Sequence, residues 1–256
     1  MAAALALGWS AAETGPDRIL VRDLDSDRAR ALADRSGAST LGSNGELAES
    51  ADVLVLATKP AALGAVAEET RVAVHDGGMP VVSILGGVTT AQIEQAYGPG
   101  TPVLRFMPNV AAEVRTGTFC WCAGSALDER TMRAVLDLFG LLGELVPVEE
   151  RLMDAATAIS GCGPAFFARV VESLTDAGVK EGLDARQAAR LARTTMAGTA
   201  ELMRHRDAVS VRRAVTSPGG VTAAGVARLE EYRVRAAFGA AVESVVGKAR
   251  GAKESK

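Results

Sequence analysis

The chain has 256 residues, a formal net charge of −3 and 48% hydrophobic residues, which suits one large domain or two modest ones around a substantial core. This charge provides no electrostatic case for a nucleic-acid partner, and no apolar run approaches the roughly 20 residues of a membrane-spanning helix. No basic residue precedes the apolar start, unlike in a secretory signal, so we expect a cytoplasmic protein without membrane attachment.

Helical and strand patterns alternate through the first half of the chain. Helices are predicted at residues 2–12, 26–36, 61–70, 89–97 and 127–142. Strands are predicted at residues 18–22, 51–57, 80–85, 102–107 and 117–123. Residues 51–57 (ADVLVLA) form a continuous apolar run, which is typical of a buried parallel strand. The alternation predicts a doubly wound, Rossmann-like α/β domain over residues 1–150.

The second half, residues 151–256, contains only helical patterns. They cover residues 163–178, 184–204, 211–215 and 222–251, with Asp184 and Gln187 as a capping pair. Apolar residues lie on several faces of these helices, which fits either close helix packing or a dimer core. We therefore expect an all-α second domain.

Cysteine and histidine are too sparse and too scattered for a metal centre. The chain has Cys120, Cys122, Cys162, His75 and His205. Cys120 and Cys122 share a face of one predicted strand, but the further ligands that a metal site needs are missing. We predict no metal site.

Polar or small residues follow three predicted strands in turn. Thr58, Lys59 and Pro60 follow the strand at 51–57, and the segments 83–87 and 107–110 end the next two. Ligands of open α/β sheets bind at the carboxyl ends of strands, so Lys59 is placed to meet a phosphate or a ribose. A solvated loop lysine is the simpler alternative.

Two glycine-rich corners lie in or next to the helical half, Ser-Gly-Cys-Gly-Pro-Ala at 160–165 and Thr-Ser-Pro-Gly-Gly-Val-Thr at 216–222. Free backbone N–H groups at a glycine turn and a helix start can bind a small anion. Thr222 is expected to cap the helix that follows the second corner. An ordinary turn between two helices is the competing interpretation.

These motifs, together with Val55–Pro60, Val81–Val88 and Arg105–Asn109, occur in the order and spacing of the pyrroline-5-carboxylate reductases. The chain resembles this family over almost its whole length. The resemblance implies an N-terminal Rossmann domain, a C-terminal helical dimerisation domain, and reduction of 1-pyrroline-5-carboxylate to L-proline with NADPH or NADH. It also implies a homodimer or higher homo-oligomer, with the substrate pocket built partly from a partner's loop.

The resemblance implies two sets of site residues. Those expected around the dinucleotide are Asn44, Ala57, Thr58, Lys59, Pro60, Ile84, Leu85 and Gly86. Those expected around the substrate are Glu150, Ser217, Gly219, Gly220, Val221 and Thr222. Thr222 is the expected catalytic residue, because the matching threonine of the family lies near the imine nitrogen.

The chain departs from the family's pattern at its start. Relatives begin with a strand and a Gly-x-Gly loop that holds the pyrophosphate, whereas residues 1–9 here already match the helix that follows. Either Met1 is an internal methionine of a longer chain, or cofactor binding is lost. Removing that strand would expose the edges of its two neighbours.

A second departure is Asp23, which follows the strand at 18–22. A carboxylate at this point accepts hydrogen bonds from a ribose 2′-hydroxyl and repels a 2′-phosphate, although Arg22 could pair with that phosphate. Asp23 thus favours NADH without excluding NADPH. Two alternatives to the leading function remain, namely a related cyclic-imine reductase and a catalytically silent dimeric homologue.

Overall fold

The computed structural model describes residues 1–254, with side chains as far as residue 251. Residues 255 and 256 of the predicted helical domain lie outside this part. The chain divides into two compact units: Met1–Cys162 together with the residues from Lys248 onward, and Gly163–Gly247.

The first unit alternates helices and strands. Its helices are α1 (Ala2–Ser10), α2 (Ser26–Ser36), α3 (Asn44–Glu49), α4 (Leu63–Gly77), α5 (Thr90–Tyr97), α6 (Glu129–Gly140) and α7 (Met153–Ser160). Its strands are β1 (Leu20–Val21), β2 (Ser39–Thr40), β3 (Leu54–Leu56), β4 (Val81–Ser83), β5 (Val103–Pro108), β6 (Gly117–Ala123) and β7 (Gly143–Pro147). The Rossmann-like α/β unit expected from the sequence is confirmed.

The strands form two separate sheets. One pairs β1 with β2, and the other has the order β3-β4-β5-β6-β7. All neighbours are parallel except β5 and β6, which run antiparallel. Because β3, β4 and β5 are parallel, their carboxyl ends lie at one edge of the larger sheet.

Helices cover both faces of the larger sheet. On one face, α4 and α5 pack through Val74, Ile93 and Tyr97 against β3 and β4. On the other, α1 and α6 bury Trp9 and Phe139 against β5, where the Phe106 and Phe139 rings stack with centroids 4.4 Å apart. This double covering explains why β3, β4 and β5 consist mostly of apolar residues.

A cleft of about 910 Å³ lies between the two sheets. Its lining includes Leu20 of β1, Val53 and Val55 at β3, and the first residues of α1. On the side of β3 that faces β4, the Leu54 N–H donates to Pro80 O, and Leu56 O accepts the Ile84 N–H. Since successive residues of a strand direct their backbone groups to opposite sides, those of Val53 and Val55 face the cleft. The expected unpaired strand edges are therefore present.

The second unit is helical. It contains α8 (Gly163–Lys180), α9 (Ala185–Met203), α10 (Ala208–Ala214), α11 (Val221–Glu231) and most of α12 (Val234–Glu254). The single helix predicted at 222–251 is wrong, because the chain breaks at Arg233, whose φ is 55°. Among the described residues, no helix has the length and apolar character to cross a membrane, and no group of three or more His, Cys, Asp or Glu side chains could hold a metal ion.

Candidate active site

The carboxyl ends of β3 and β4 carry most of the residues expected around a dinucleotide. Ala57, Thr58 and Lys59 follow β3 and are exposed, and Pro60 begins a short 3₁₀ turn. Lys59 forms no ion pair with any described acidic side chain, since none lies within salt-bridge distance. A free cation at this edge suits a phosphate.

The turn after β4 is fixed by a side chain of the strand itself. The Leu85 N–H donates to the Ser83 hydroxyl at 3.2 Å. Leu85 is only 1% exposed and belongs to the core, whereas Gly86 is exposed. Leu85 can therefore contact a ligand only through its backbone. Ile84 is half-buried and Gly86 is exposed, so both are more accessible to a ligand than Leu85.

Asp23 and Asn44 lie near the smaller sheet and already have partners. The Asp23 carboxylate accepts the Asp25 N–H at 3.0 Å and lies 3.8 Å from an Arg28 guanidinium nitrogen. The Asn44 amide donates to Glu69 at 2.8 Å. Asp23 borders both the large cleft and a cavity of about 300 Å³. Ala57 also borders the large cleft, so the structure brings Asp23 and Ala57 to one surface.

An ion pair between a buried arginine and a half-buried glutamate lies near the carboxyl ends of these strands. Arg105 on β5 is 1% exposed and donates to Glu150 at 3.1 Å. Thr90, the first residue of α5, donates to Glu150 through its N–H and its hydroxyl, each at 2.8 Å. Burial by itself would raise the pKa of the Glu150 carboxyl, but the Thr90 donors and Arg105 outweigh it and hold that pKa below its usual value.

Asn109 joins the end of β5 to the corner at 160–165. Its amide donates to Ser160 O at 3.1 Å, and its carbonyl oxygen accepts the N–H groups of Ala111 and Thr118. The thiol of Cys120 lies 3.3 Å from the Ser160 hydroxyl. Two motifs about 50 residues apart in sequence are thus packed together within the first unit.

The loop at 216–222 belongs to the second unit. Gly219 has a φ of 70°, and the Gly220 N–H donates to Ser217 O at 3.1 Å. The expectation that Thr222 caps the next helix is wrong: Gly220 is the N-cap, α11 begins at Val221, and no side chain caps it. Thr222 lies in the first turn of α11, so its hydroxyl is not used as the cap.

Thr90, Arg105 and Asn109 also belong to the candidate site, although no motif in the sequence marks them individually as ligand-binding residues. Arg105 carried a visible signal, because it is the one charged residue in the apolar strand PVLRFM, and a buried charge requires a partner. Its partner Glu150 is 45 residues away. No local pattern identifies a pair at that separation.

The Rossmann-like unit, the helical unit after it and the polar groups at the ends of β3, β4 and β5 define a two-domain protein of the dinucleotide-binding class of folds. Residues 150–252 match the family model described as pyrroline-5-carboxylate reductase dimerisation, and residues 1–87 match the one described as NADP oxidoreductase, coenzyme F420-dependent.

Individual relatives extend the match to nearly the whole chain. A Corynebacterium melassecola protein named pyrroline-5-carboxylate reductase is 34% identical over 239 residues, 92% of this chain and 88% of that protein. A solved pyrroline-5-carboxylate reductase from Coxiella burnetii has a TM-score of 0.89 at 30% identity and covers 98% of this chain and 94% of its own. A solved Plasmodium falciparum protein described as pyrroline carboxylate reductase, with NADP bound, has a TM-score of 0.83 at 29% identity and covers 98% of this chain and 93% of its own. This chain belongs to the pyrroline-5-carboxylate reductase family, as its motifs indicated.

Proposed function

We propose that this protein reduces 1-pyrroline-5-carboxylate to L-proline with NADPH or NADH, the last step of proline biosynthesis. The observation that carries the proposal is the 34% identity over 92% of the chain to a protein of that name. The groups at the ends of β3 and β4 and the glycine loop at 216–222 supply the binding chemistry that such a reaction needs.

The donor set at the sheet edge fits a dinucleotide. Thr58 offers a hydroxyl, and Lys59 offers a cation with no ion-pair partner among the described residues, for phosphate or ribose oxygens. The turn formed by Ile84, Leu85 and Gly86 offers backbone groups beside an exposed glycine, where a flat ring can approach closely. Asn44 is assigned to the same ligand, and would exchange its bond to Glu69 for it.

The glycine loop at 216–222 fits a small carboxylate. The N–H groups of Val221 and Thr222 lie in the first turn of α11, where backbone donors have no partner within the helix. Gly219 and Gly220 let the backbone approach a ligand, and Ser217 contributes a hydroxyl. We assign the substrate carboxylate to this loop.

The reaction needs accurate placement more than a strong acid or base. When bound, the reduced nicotinamide supplies a hydride to the imine carbon, and the electrons of the C=N bond move to nitrogen. The iminium nitrogen retains the proton it already carries. Thr222 is a poor acid, so its role is to orient the nitrogen by a hydrogen bond.

Thr222→Ala tests this role through kcat/KM for pyrroline-5-carboxylate. We expect a fall of about tenfold or more, which corresponds to the loss of one useful hydrogen bond. Thr222→Ser keeps the hydroxyl and should retain most of the activity. An unchanged kcat/KM in Thr222→Ala would remove this residue from the mechanism.

A dimeric homologue without cofactor binding is the second candidate function, because the cleft separates β1 and Asp23 from β3. Titration of the protein with NADPH and NADH, followed by nicotinamide fluorescence, distinguishes the two. Saturable binding supports the reductase, and its absence supports the silent homologue. If the cofactor binds but a different cyclic imine is reduced faster than pyrroline-5-carboxylate, the related-reductase alternative is correct.

We infer a preference for NADH from Asp23. Its carboxylate is oriented by the Asp25 N–H and lies 3.8 Å from Arg28, and in a Rossmann-like unit a carboxylate at this point would face the 2′-position of a bound adenosine ribose. Asp23→Ser should shift the ratio of kcat/KM values towards NADPH by about tenfold, since one like-charge contact is removed. A ratio that does not move would exclude Asp23 from cofactor selection.

We further propose that the protein works in the cytoplasm as a homodimer or a higher homo-oligomer. The described cysteines are all free thiols, which suits a reducing compartment. The match of residues 150–252 to a dimerisation model supports self-association through the helical unit.

A further inference from the structure

The carboxylate of Glu150 is held by hydrogen bonds from two other parts of the first unit. A carboxylate offers about four lone-pair sites. Thr90 N–H and Arg105 donate to Oε1, at 2.8 and 3.1 Å, and the Thr90 hydroxyl donates to Oε2 at 2.8 Å. Oε2 accepts only the Thr90 hydroxyl among these bonds, and the Glu150 side chain is 31% exposed. The three bonds therefore fix the orientation of the carboxylate.

The partners of Glu150 lie on two different elements of the first unit. Thr90 is the first residue of α5, and Arg105 lies on β5, which pairs with β4 and β6. Glu150 itself opens the 3₁₀ turn Glu150–Leu152 that leads into α7. One side chain therefore ties the start of α5 to the centre of the sheet.

The turn that leads into α5 contains residues that are expected to bind the cofactor. The segment 84–89 runs from β4 to α5 and contains Ile84, Leu85 and Gly86. Its first end is held by the Ser83 hydroxyl, which accepts the Leu85 N–H. Its last residue, Thr89, forms a capping box with Gln92, and Glu150 then holds Thr90. The segment is thus anchored at both ends, and Glu150 supplies the second anchor.

We propose that Glu150 is a positioning residue that fixes the cofactor-binding turn 84–89 through its bonds to Thr90. This inference rests on the proposed reductase function for its kinetic consequences, but its structural consequence does not require activity. Arg105 is almost fully buried, so loss of the negative charge of Glu150 leaves a buried guanidinium uncompensated and loosens the same anchor.

Glu150→Gln tests the proposal, with Glu149→Gln as the matched control. Glu149 is the adjacent residue, and its side chain is 66% exposed and pairs only with Arg151 among the ion pairs of the described residues. We expect Glu150→Gln to weaken cofactor affinity about tenfold, with the substrate KM at saturating cofactor changed less than about twofold. Glu149→Gln should leave both values unchanged.

Hydrogen exchange supplies a readout that needs neither cofactor nor turnover. Amides of residues 84–97 should exchange faster in Glu150→Gln than in the parent or in Glu149→Gln, because α5 loses its anchor. If the parent shows no reductase activity, the proposed function fails while this comparison still decides the role of Glu150. If Glu150→Gln does not fold, Thr90→Val removes one donor while keeping the ion pair, and should show the same changes more weakly.

Two results would overturn the proposal. A raised substrate KM with unchanged cofactor affinity would show that Glu150 acts on substrate binding and not through the turn 84–89. Unchanged cofactor affinity together with unchanged exchange at residues 84–97 would show that it anchors nothing.

Discussion

Gly219 is the residue of the 216–222 loop whose conformation most restricts replacement. Its φ of 70° is in the left-handed region, which costs a residue with a Cβ about 1–2 kcal/mol. A Cβ there would meet no atom within 4 Å. Gly219→Ala should therefore lower the free energy of unfolding by about 1 kcal/mol and, by shifting the loop, raise the substrate KM. Denaturant unfolding and steady-state kinetics measure the two effects.

Gly37→Ala is the matched control for that substitution. Gly37 has a φ of 67°, and a Cβ at this position would also meet no atom within 4 Å, but this glycine ends α2 in the first unit. The substitution should cost similar stability and leave the substrate KM unchanged. Equal KM changes in both variants would mean that the loop at 216–222 acts only through stability.

The pKa of the Cys122 thiol can be tested by alkylation. Burial, followed by the nearby Glu150 carboxylate, raises the pKa of its thiol to about 11, against a smaller opposite effect of Arg105. Only the thiolate is readily alkylated, so labelling of Cys122 by iodoacetamide should be slow at pH 8 and accelerate towards pH 11. In Glu150→Gln the acceleration should begin at lower pH. Mass spectrometry of the Cys122 peptide measures the labelling rates of the parent and the variant. Fast labelling at pH 8 in the parent would contradict a raised pKa of the Cys122 thiol.

Among the described strands, β1 and β3 each pair with a neighbour on one side only, and the other side of each borders the cleft. Leu20, Val53 and Val55 line the cleft, and their alternation directs unpaired backbone groups of β1 and β3 towards it. An edge of this kind is an open template for another extended strand.

An added strand should therefore stabilise the protein. We expect an N-terminal extension of five β-branched residues and a glycine turn, fused before Met1, to raise Tm by about 2–4 °C for each kcal/mol gained. It should also slow hydrogen exchange at Val53 and Val55. An extension of equal length with two prolines cannot complete the ladder and serves as the control. Equal melting temperatures for the two proteins would contradict the interpretation of the cleft.

Elements with strong local signals were predicted well. The helix at Thr90–Tyr97 has a capping box at Thr89 and Gln92, and β6 matches its predicted bounds of 117–123. Features with weak local signals were not predicted. Strand β2 has only two residues, and neither glycine nor proline marks the helix break at Arg233. There a bulky residue adopts a left-handed conformation, which local propensity disfavours.

Part of the candidate site can likewise be predicted from local sequence patterns, and part of it cannot. The residues expected around the cofactor follow from the rule that ligands bind at the carboxyl ends of parallel strands. Applying this rule requires only that β3 and β4 are recognised in the sequence. The bonds from Thr90 and Arg105 to Glu150 connect residues 60 and 45 positions apart. They form only when the sheet and α5 are assembled, so a single sequence does not reveal them.

At the scale of the whole molecule, the second unit leaves large apolar side chains exposed. Phe167 and Leu174 on α8, Leu191 on α9 and Leu229 on α11 are each 55–58% exposed. So many exposed apolar side chains on one helical unit indicate a surface that another chain covers. Self-association would remove this surface from water, at about 25 cal/mol for each Å² of apolar area.

Leu191→Glu should disrupt that association. A charge at the centre of an apolar interface is unfavourable, so the variant should elute at the monomer mass of 26.4 kDa, while the parent elutes at twice this mass or more. Arg193→Glu is the control, because residue 193 is exposed on the same helix but lies about 200° around its axis. Light scattering after size exclusion measures the masses. A parent protein that is monomeric at micromolar concentration, or a Leu191→Glu variant that stays associated, would show that α9 does not form the interface.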